Sequence, residues 1–261
     1  MTRFDWISLT TDYGLADGFA AVCHGVLGRL APEVRVIDVT HEVPPGEVTR
    51  GSAVLAQTAP HLPPAIHIAV VDPGVGTPRR GVAIEAVHGV LVGPDNGLLP
   101  AAADALGGIV RAVELTNPAW HAPVVSATFH GRDIFAPVAA RLAHGGELAE
   151  AGPAVDVASL VRLPEPILVL GDGWIDAEVV QIDRYGNLQL AAPASLLDRL
   201  GETPDVAGTP AVRVETFGAA HPGSMLVYAD SAGHMAIAVN GGRAVAALSA
   251  APGDVVRVTA G

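Results

Sequence analysis

The chain has 261 residues, half of them apolar but only 4% aromatic, and a formal net charge of −12. That length carries one large domain or two unequal ones, and the acidity excludes the basic face that nucleic acid requires. All 15 basic residues are arginine, which removes Schiff-base and phosphate-loop lysine chemistry. The single cysteine, Cys23, can form neither an internal disulfide nor a thiolate metal cage.

The first residues, Met1 to Trp6, show no charged-then-apolar leader, and no apolar run approaches the roughly 18 residues of a membrane span. Cytoplasm is the expected compartment and no membrane is expected as a partner. Residues 7–10 read as a strand. Residues 17–30 have helical spacing, with Asp17 placed to cap them. A strand over 34–39, a helix over 48–59 and strands over 65–71, 82–86 and 90–92 follow. Residues 98–106 and 134–144 read as helices. The alternation implies an α/β domain over 1–165, a mostly parallel sheet flanked by helices.

The texture changes after Pro164-Glu165-Pro166. Over 166–261 the apolar runs become short, alternating and punctuated by glycine: 174–182, 188–190, 212–216, 225–228, 235–239 and 255–258. Only 194–200 reads as helical. The pattern predicts a smaller antiparallel β-barrel domain.

Two segments carry the chemistry. The apolar run 65–71 delivers Asp72 into Pro73-Gly74-Val75-Gly76-Thr77, with Arg79 and Arg80 close behind, where open α/β sheets place ligands. The second is Thr128-Phe129-His130-Gly131-Arg132-Asp133. An aspartate, an arginine and a histidine in one loop-lined pocket have the composition of a water-activating site. Plainer readings stand beside this one: Asp72 as a turn former ahead of Pro73, Arg79 and Arg80 as a solvated pair, His130 as a core histidine. Neither His-x-x-x-His nor Asp-x-Asp spacing occurs among Asp12, Asp17, Asp95, His41 and His130, so no metal is expected in the reaction.

Seven motifs, in order, resemble the S-adenosylmethionine (SAM) hydroxide adenosyltransferases, the adenosine-forming SAM hydrolases related to the SAM-dependent fluorinase and chlorinase. They are Leu9-Thr10-Thr11-Asp12-Tyr13-Gly14, Val39-Thr40-His41-Glu42-Val43-Pro44, the 72–77 loop, Gly93-Pro94-Asp95-Asn96-Gly97-Leu98-Leu99, and Thr128 through Pro137. The last two are Ile182-Asp183-Arg184-Tyr185-Gly186-Asn187 and Tyr228-Ala229-Asp230-Ser231 with Asn240-Gly241-Gly242. The resemblance implies an N-terminal α/β domain, a C-terminal β-barrel and a homotrimer with sites between subunits. It implies SAM as substrate, without cofactor or metal. Asp72, Arg79 and His130 match the water-positioning set, and Asp12 the group that takes both ribose hydroxyls. Asp183 and Ser231 match the holders of the methionyl ammonium and carboxylate, and Asn187 an adenine-edge partner. Tyr185 and Phe217 are candidate stacking partners for the base, and Gly131 and Gly241 complete the binding set. The halogenases lack an acid at the place of Asp72, which favours the hydrolase branch over a chlorinase-like activity; a non-catalytic SAM or nucleoside sensor stands as an alternative that only an assay separates. Gly46 and Ala232 stand where relatives carry a bulky aromatic and an arginine.

SAM states the chemical demand. Its sulfonium leaves C5′ as a neutral thioether and needs no proton, so the enzyme must hold a water in line and accept its proton. Asp72 could take that proton itself or orient His130 to do so.

Overall fold

The computed structural model describes residues 4–261; Met1, Thr2 and Arg3, part of the stretch read for a leader, lie outside the described residues. The chain divides into two compact units, residues 1–163 and 164–261.

The first unit is built on β1 (Trp6–Thr11), α1 (Phe19–Leu30), β2 (Arg35–Thr40), α2 (Val48–Thr58), β3 (Ile66–Val70), β4 (Gly81–Ala86), β5 (Gly89–Pro94), α3 (Pro100–Ala105), β6 (Ile109–Glu114), α4 (Ala136–Ala143) and β7 (Ala154–Val155). Its seven-stranded sheet runs β2-β1-β3-β5-β4-β6-β7. The β2, β1, β3 and β5 side is parallel, and the pairs from β5 to β7 are antiparallel. Period-two alternation along β3 sorts the core. Ile66, Ile68 and Val70 join one cluster with α1 and α4, whereas Ala69 and Val71 join the other with α2 and α3.

Four local readings need correction. Asp17 does not cap α1: Gly18 holds that position without a side-chain bond. The helix expected from residue 98 begins at Pro100, because Asn96 accepts from the Leu98 N–H and forms a turn first. Strands β6 and β7 were not expected, since 109–114 carries Arg111 and Glu114 within a short run. The helix expected from residue 134 opens as a π-helical turn, Gly131–Phe135, before α4. Pro137 explains this: it has no N–H for the Asp133 carbonyl, which instead accepts from Ala122 N at 2.8 Å.

The second unit contains β8 (Leu168–Leu170), β9 (Trp174–Ile182), β10 (Leu188–Pro193), β11 (Asp205–Val206), β12 (Thr209–Arg213), β13 (Met225–Ala229), β14 (His234–Val239), α5 (Ala244–Leu248) and β15 (Val255–Thr259). Strands β10-β14-β13-β12-β11-β15-β9 close on themselves through a β9–β10 pairing, and β8 adds to β9. The barrel is antiparallel apart from the β12–β13 pair. Residues Ala194–Arg199, read as a helix, form 3₁₀ turns, and α5 is a helix the reading missed. The strand expected over 212–216 lies earlier, at Thr209–Arg213.

Candidate active site

The site grows from the end of β3. Asp72 opens a loop closed by Val75 N on the Asp72 carbonyl (3.2 Å) and Thr77 N on the Gly74 carbonyl (3.2 Å). Gly76 has φ +77°, and a Cβ there would lie 2.3 Å from the Ala127 carbonyl oxygen. Only glycine permits that approach, which seats the 72–79 loop against the segment leading to His130.

Arg79 is the hub. Its Nε donates to both Asp72 oxygens at 3.0 Å, and one terminal nitrogen donates to Asp72 Oδ2 as well. The same nitrogen donates to His130 Nδ1 at 2.9 Å. The Asp72 and Arg79 side chains are only 4% and 11% exposed, and the guanidinium lies 5.4 Å from the centre of the fully buried Phe135 ring. Asp72 and His130 are therefore joined through Arg79, so Asp72 does not itself orient the imidazole. Arginine only donates, so His130 Nδ1 must present its lone pair and the neutral ring carries its proton on Nε2. Burial lowers the His130 pKa, the Arg79 charge lowers it further, and Asp72 and Asp133 oppose both.

Asp133 ties down the segment that bears this histidine. It is 2% exposed, accepts from Ser126 N at 2.8 Å, and is gripped by Arg132 at 2.6 and 2.9 Å. Burial acts to raise its pKa, but the Arg132 and Ser126 hydrogen bonds hold it below the usual value. Arg80 is directed elsewhere, to Asp95 and Ser159, so Arg79 alone of the two arginines serves Asp72. Asn96 also contributes, donating at 2.8 Å to the Val71 carbonyl directly before Asp72.

Beside this triad is a cavity of about 190 Å³ walled by Asp12, Tyr13, Gly46, Val70, Asp72, Pro73, Val75, Thr128, His130 and Gly131. Arg79 stands behind that wall. Asp12 Oδ2 accepts from Gly46 N at 2.9 Å, and no atom lies within 4 Å of the place a Gly46 side chain would start. The space beside Asp12 is open. A Cβ on Gly131 would fall 2.1 Å from the Tyr13 hydroxyl, and Tyr13 packs in an aromatic trio with Phe19 and Phe129 at centroid distances of 5.3 to 5.9 Å. Tyr13 and Thr128 were not singled out from sequence. Their position inside the motifs of Asp12 and His130 was the available signal.

The barrel's candidates form a separate group. Asp183 and Asn187 close the β9–β10 turn on each other: Asn187 N and Nδ2 donate to the two Asp183 oxygens at 2.9 and 2.8 Å. Tyr185 is 75% exposed between them. Phe217 packs on Tyr228 at 5.1 Å, whose hydroxyl is pushed up to about 12 by burial and by the charges of Asp183 and Asp230. Ser231 is exposed on the turn after β13, and Gly241 has φ +73° on the turn after β14.

A two-domain fold with a carboxylate, a guanidinium and a neutral imidazole beside an open cavity defines a hydrolytic class of site. Residues 7–152 match the SAM hydroxide adenosyltransferase N-terminal domain, and 177–257 the C-terminal domain of the same family. The chain belongs to the SAM hydroxide adenosyltransferase family. It is 62% identical over the full length of both chains to the (R)-S-adenosyl-L-methionine hydrolase of Salinispora arenicola. A fluorinase of Actinoplanes matches more distantly, at 27% identity over 75% of this chain and 74% of its own. Among solved structures, an uncharacterized conserved protein of Thermotoga maritima superposes with a TM-score of 0.91 at 34% identity, covering 97% of this chain and 99% of that one.

Proposed function

We propose that this enzyme hydrolyses S-adenosyl-L-methionine to adenosine and L-methionine. The observation that carries the reading is the Asp72–Arg79–His130 chain at the wall of a cavity that also holds Asp12. A water bound there attacks C5′ opposite sulfur. The new C5′–O bond forms as the C5′–S pair returns to sulfur, methionine leaves neutral at sulfur, and the water's proton is released. Hydrogen-bond accounting supports Asp72 as the acceptor of that proton, because His130 already receives Arg79 at Nδ1 and bears a hydrogen at Nε2. His130 then donates to the water oxygen and Arg79 is a positioning residue. The substrate's sulfonium and a nascent hydroxide cancel each other's charge, so a site walled by Val70, Pro73 and Val75 favours their reaction. The Salinispora relative's name supports the (R) form as the preferred substrate. Because L already describes the amino-acid carbon, the (R) label falls on the sulfonium.

The cavity is small against the 300–1,000 Å³ common for ligand pockets, and it carries only the ribose and water contacts. We infer that Asp183, Asn187 and Ser231, with Tyr185, Phe217 and Gly241, complete the site from the barrel of a neighbouring subunit in a homotrimer, a ring of heterologous interfaces. The enzyme takes no cofactor and works in the cytoplasm. Among the described residues no helix is long and apolar enough to cross a membrane.

The deciding experiment incubates the purified chain with each sulfonium epimer of SAM and separates the products. Adenosine and methionine are expected, faster from the (R) epimer. Methylthioadenosine or S-adenosylhomocysteine in place of adenosine overturns the reading. At SAM well below KM, where both variants are impaired, mixed Asp72→Ala and Asp183→Ala trimers are expected to exceed the activity of either variant alone, and failure in a confirmed mixed trimer places each complete site within one chain.

A further inference from the structure

Outside the cavity, three side chains converge on one point. His24 lies on α1, Asp38 on β2 and His41 just beyond β2, and their candidate ligand atoms all lie within 4.8 Å of one another. His24 Nε2 is 2.8 Å from Asp38 Oδ1, and His41 Nε2 is 3.1 Å from the same oxygen. A bulge prepares the meeting: Leu9 of β1 faces Asp38, but Thr10 faces Thr40. The extra residue on β2 re-aims the chain just ahead of His41.

The two histidines differ. The His24 and Asp38 side chains are 37% and 45% exposed, whereas that of His41 is 4% exposed. His41 Nδ1 lies 2.8 Å from Thr11 Oγ1. Its Nε2, although near Asp38, makes no hydrogen bond. A buried ring nitrogen left in that condition is costly and needs an explanation. The Thr11 hydroxyl provides what a metal-bound imidazole requires, an acceptor for the far ring N–H that leaves the Nε2 lone pair free.

We infer that His24, Asp38 and His41 bind a divalent transition-metal ion of the zinc type. Two imidazole Nε2 atoms and one carboxylate oxygen are its ligands, and solvent takes the fourth position on the exposed side. Bonds of about 2.0–2.2 Å set tetrahedral ligand atoms about 3.3 Å apart, so the separations of 2.8 and 3.1 Å need only a small opening. The ion stands away from the reacting atoms, behind the segment that bears Asp12. Thr11 Oγ1 accepts from Tyr13 N at 3.2 Å, and the His41 carbonyl accepts from Gly14 N at 2.7 Å. Metal bound here therefore clamps α1 and β2 to one wall of the cavity.

The test titrates zinc chloride by calorimetry into the full chain after chelator treatment and buffer exchange. One saturable site per chain is expected, with a rise in melting temperature. Loss of a ligand costs at least the roughly tenfold in affinity that loss of an outer-shell partner does, so Asp38→Asn and His24→Ala must each weaken binding by that much. Both side chains are partly exposed, and circular dichroism of the metal-free variants checks that they fold. Cobalt chloride is expected to give the visible absorption of a tetrahedral site in the parent and none in Asp38→Asn. Absence of saturable binding, or parent-like affinity in either folded variant, overturns the proposal and leaves the three residues a cluster without metal.

Discussion

The two units hold their polar groups in opposite ways. In the α/β unit Asp72, Arg79 and His130 are interlocked by charge-assisted hydrogen bonds, Asp133 is held by Arg132, and the Asp72, Arg79 and Asp133 side chains are largely withdrawn from solvent. In the barrel Asp183, Tyr185 and Ser231 ride on turns, where Asp183 bonds only its own loop among the contacts described. The difference fits the two jobs proposed for them. Groups that place a water must be fixed before substrate arrives, whereas groups that grip a flexible amino-acid tail need only be within reach.

The sharpest way to break that comparison is Asp72→Ala. Loss of a positioned proton acceptor is expected to lower kcat by at least about a hundredfold while SAM still binds; calorimetric SAM binding and single-turnover rates check both halves. A variant turning over near the parent rate would show that the buried triad is architecture.

The next effect is on stability. His67 is 1% exposed, its Nδ1 2.8 Å from Ser8 Oγ, and burial lowers its pKa to about 4 from the ordinary 6.5. Between those values the unfolded chain holds a proton that the folded chain refuses, so stability rises with pH there. It is fully present above 6.5 and is lost as pH falls toward 4, by about 3 kcal/mol for this group. Denaturant melts at neutral and acid pH measure the slope, and His67→Asn is expected to flatten it.

Gly131→Ala follows. The added methyl collides with Tyr13, so about 1–3 kcal/mol of destabilisation is expected, with a drop in kcat because His130 moves. Tyr13→Phe in the same background removes the atom that clashes and is expected to recover part of both.

The smallest effect belongs to the barrel. Asp183→Ala is expected to raise KM by roughly tenfold with little change in kcat, as suits a contact made equally before and during reaction. A fall in kcat as deep as that of Asp72→Ala would erase the distinction between the two units.

Much was legible in the chain. Period-two and helical spacing outlined β1 to β5, α1 and α2, because local apolar patterning follows directly from burial on one face. The Asp-Pro-Gly-Val-Gly-Thr loop announced itself through residues with few other uses, and the motif order pointed to the family. Short elements were harder: β6, β7 and α5 are held by neighbours more than by their own sequence. The π-helical turn depends on Ala122 claiming a carbonyl that Pro137 leaves free.

The order of polar and apolar residues thus determined the two-part architecture, and the motif resemblance picked out Asp72, Arg79 and His130 as candidates. Tertiary structure alone decided that Arg79 bridges Asp72 to His130, that His130 receives a hydrogen bond at Nδ1, and that His24 approaches Asp38. Those outcomes depend on the meeting of segments 14 to 51 residues apart. Such encounters are set by how strands pair and helices pack, and no local pattern encodes them.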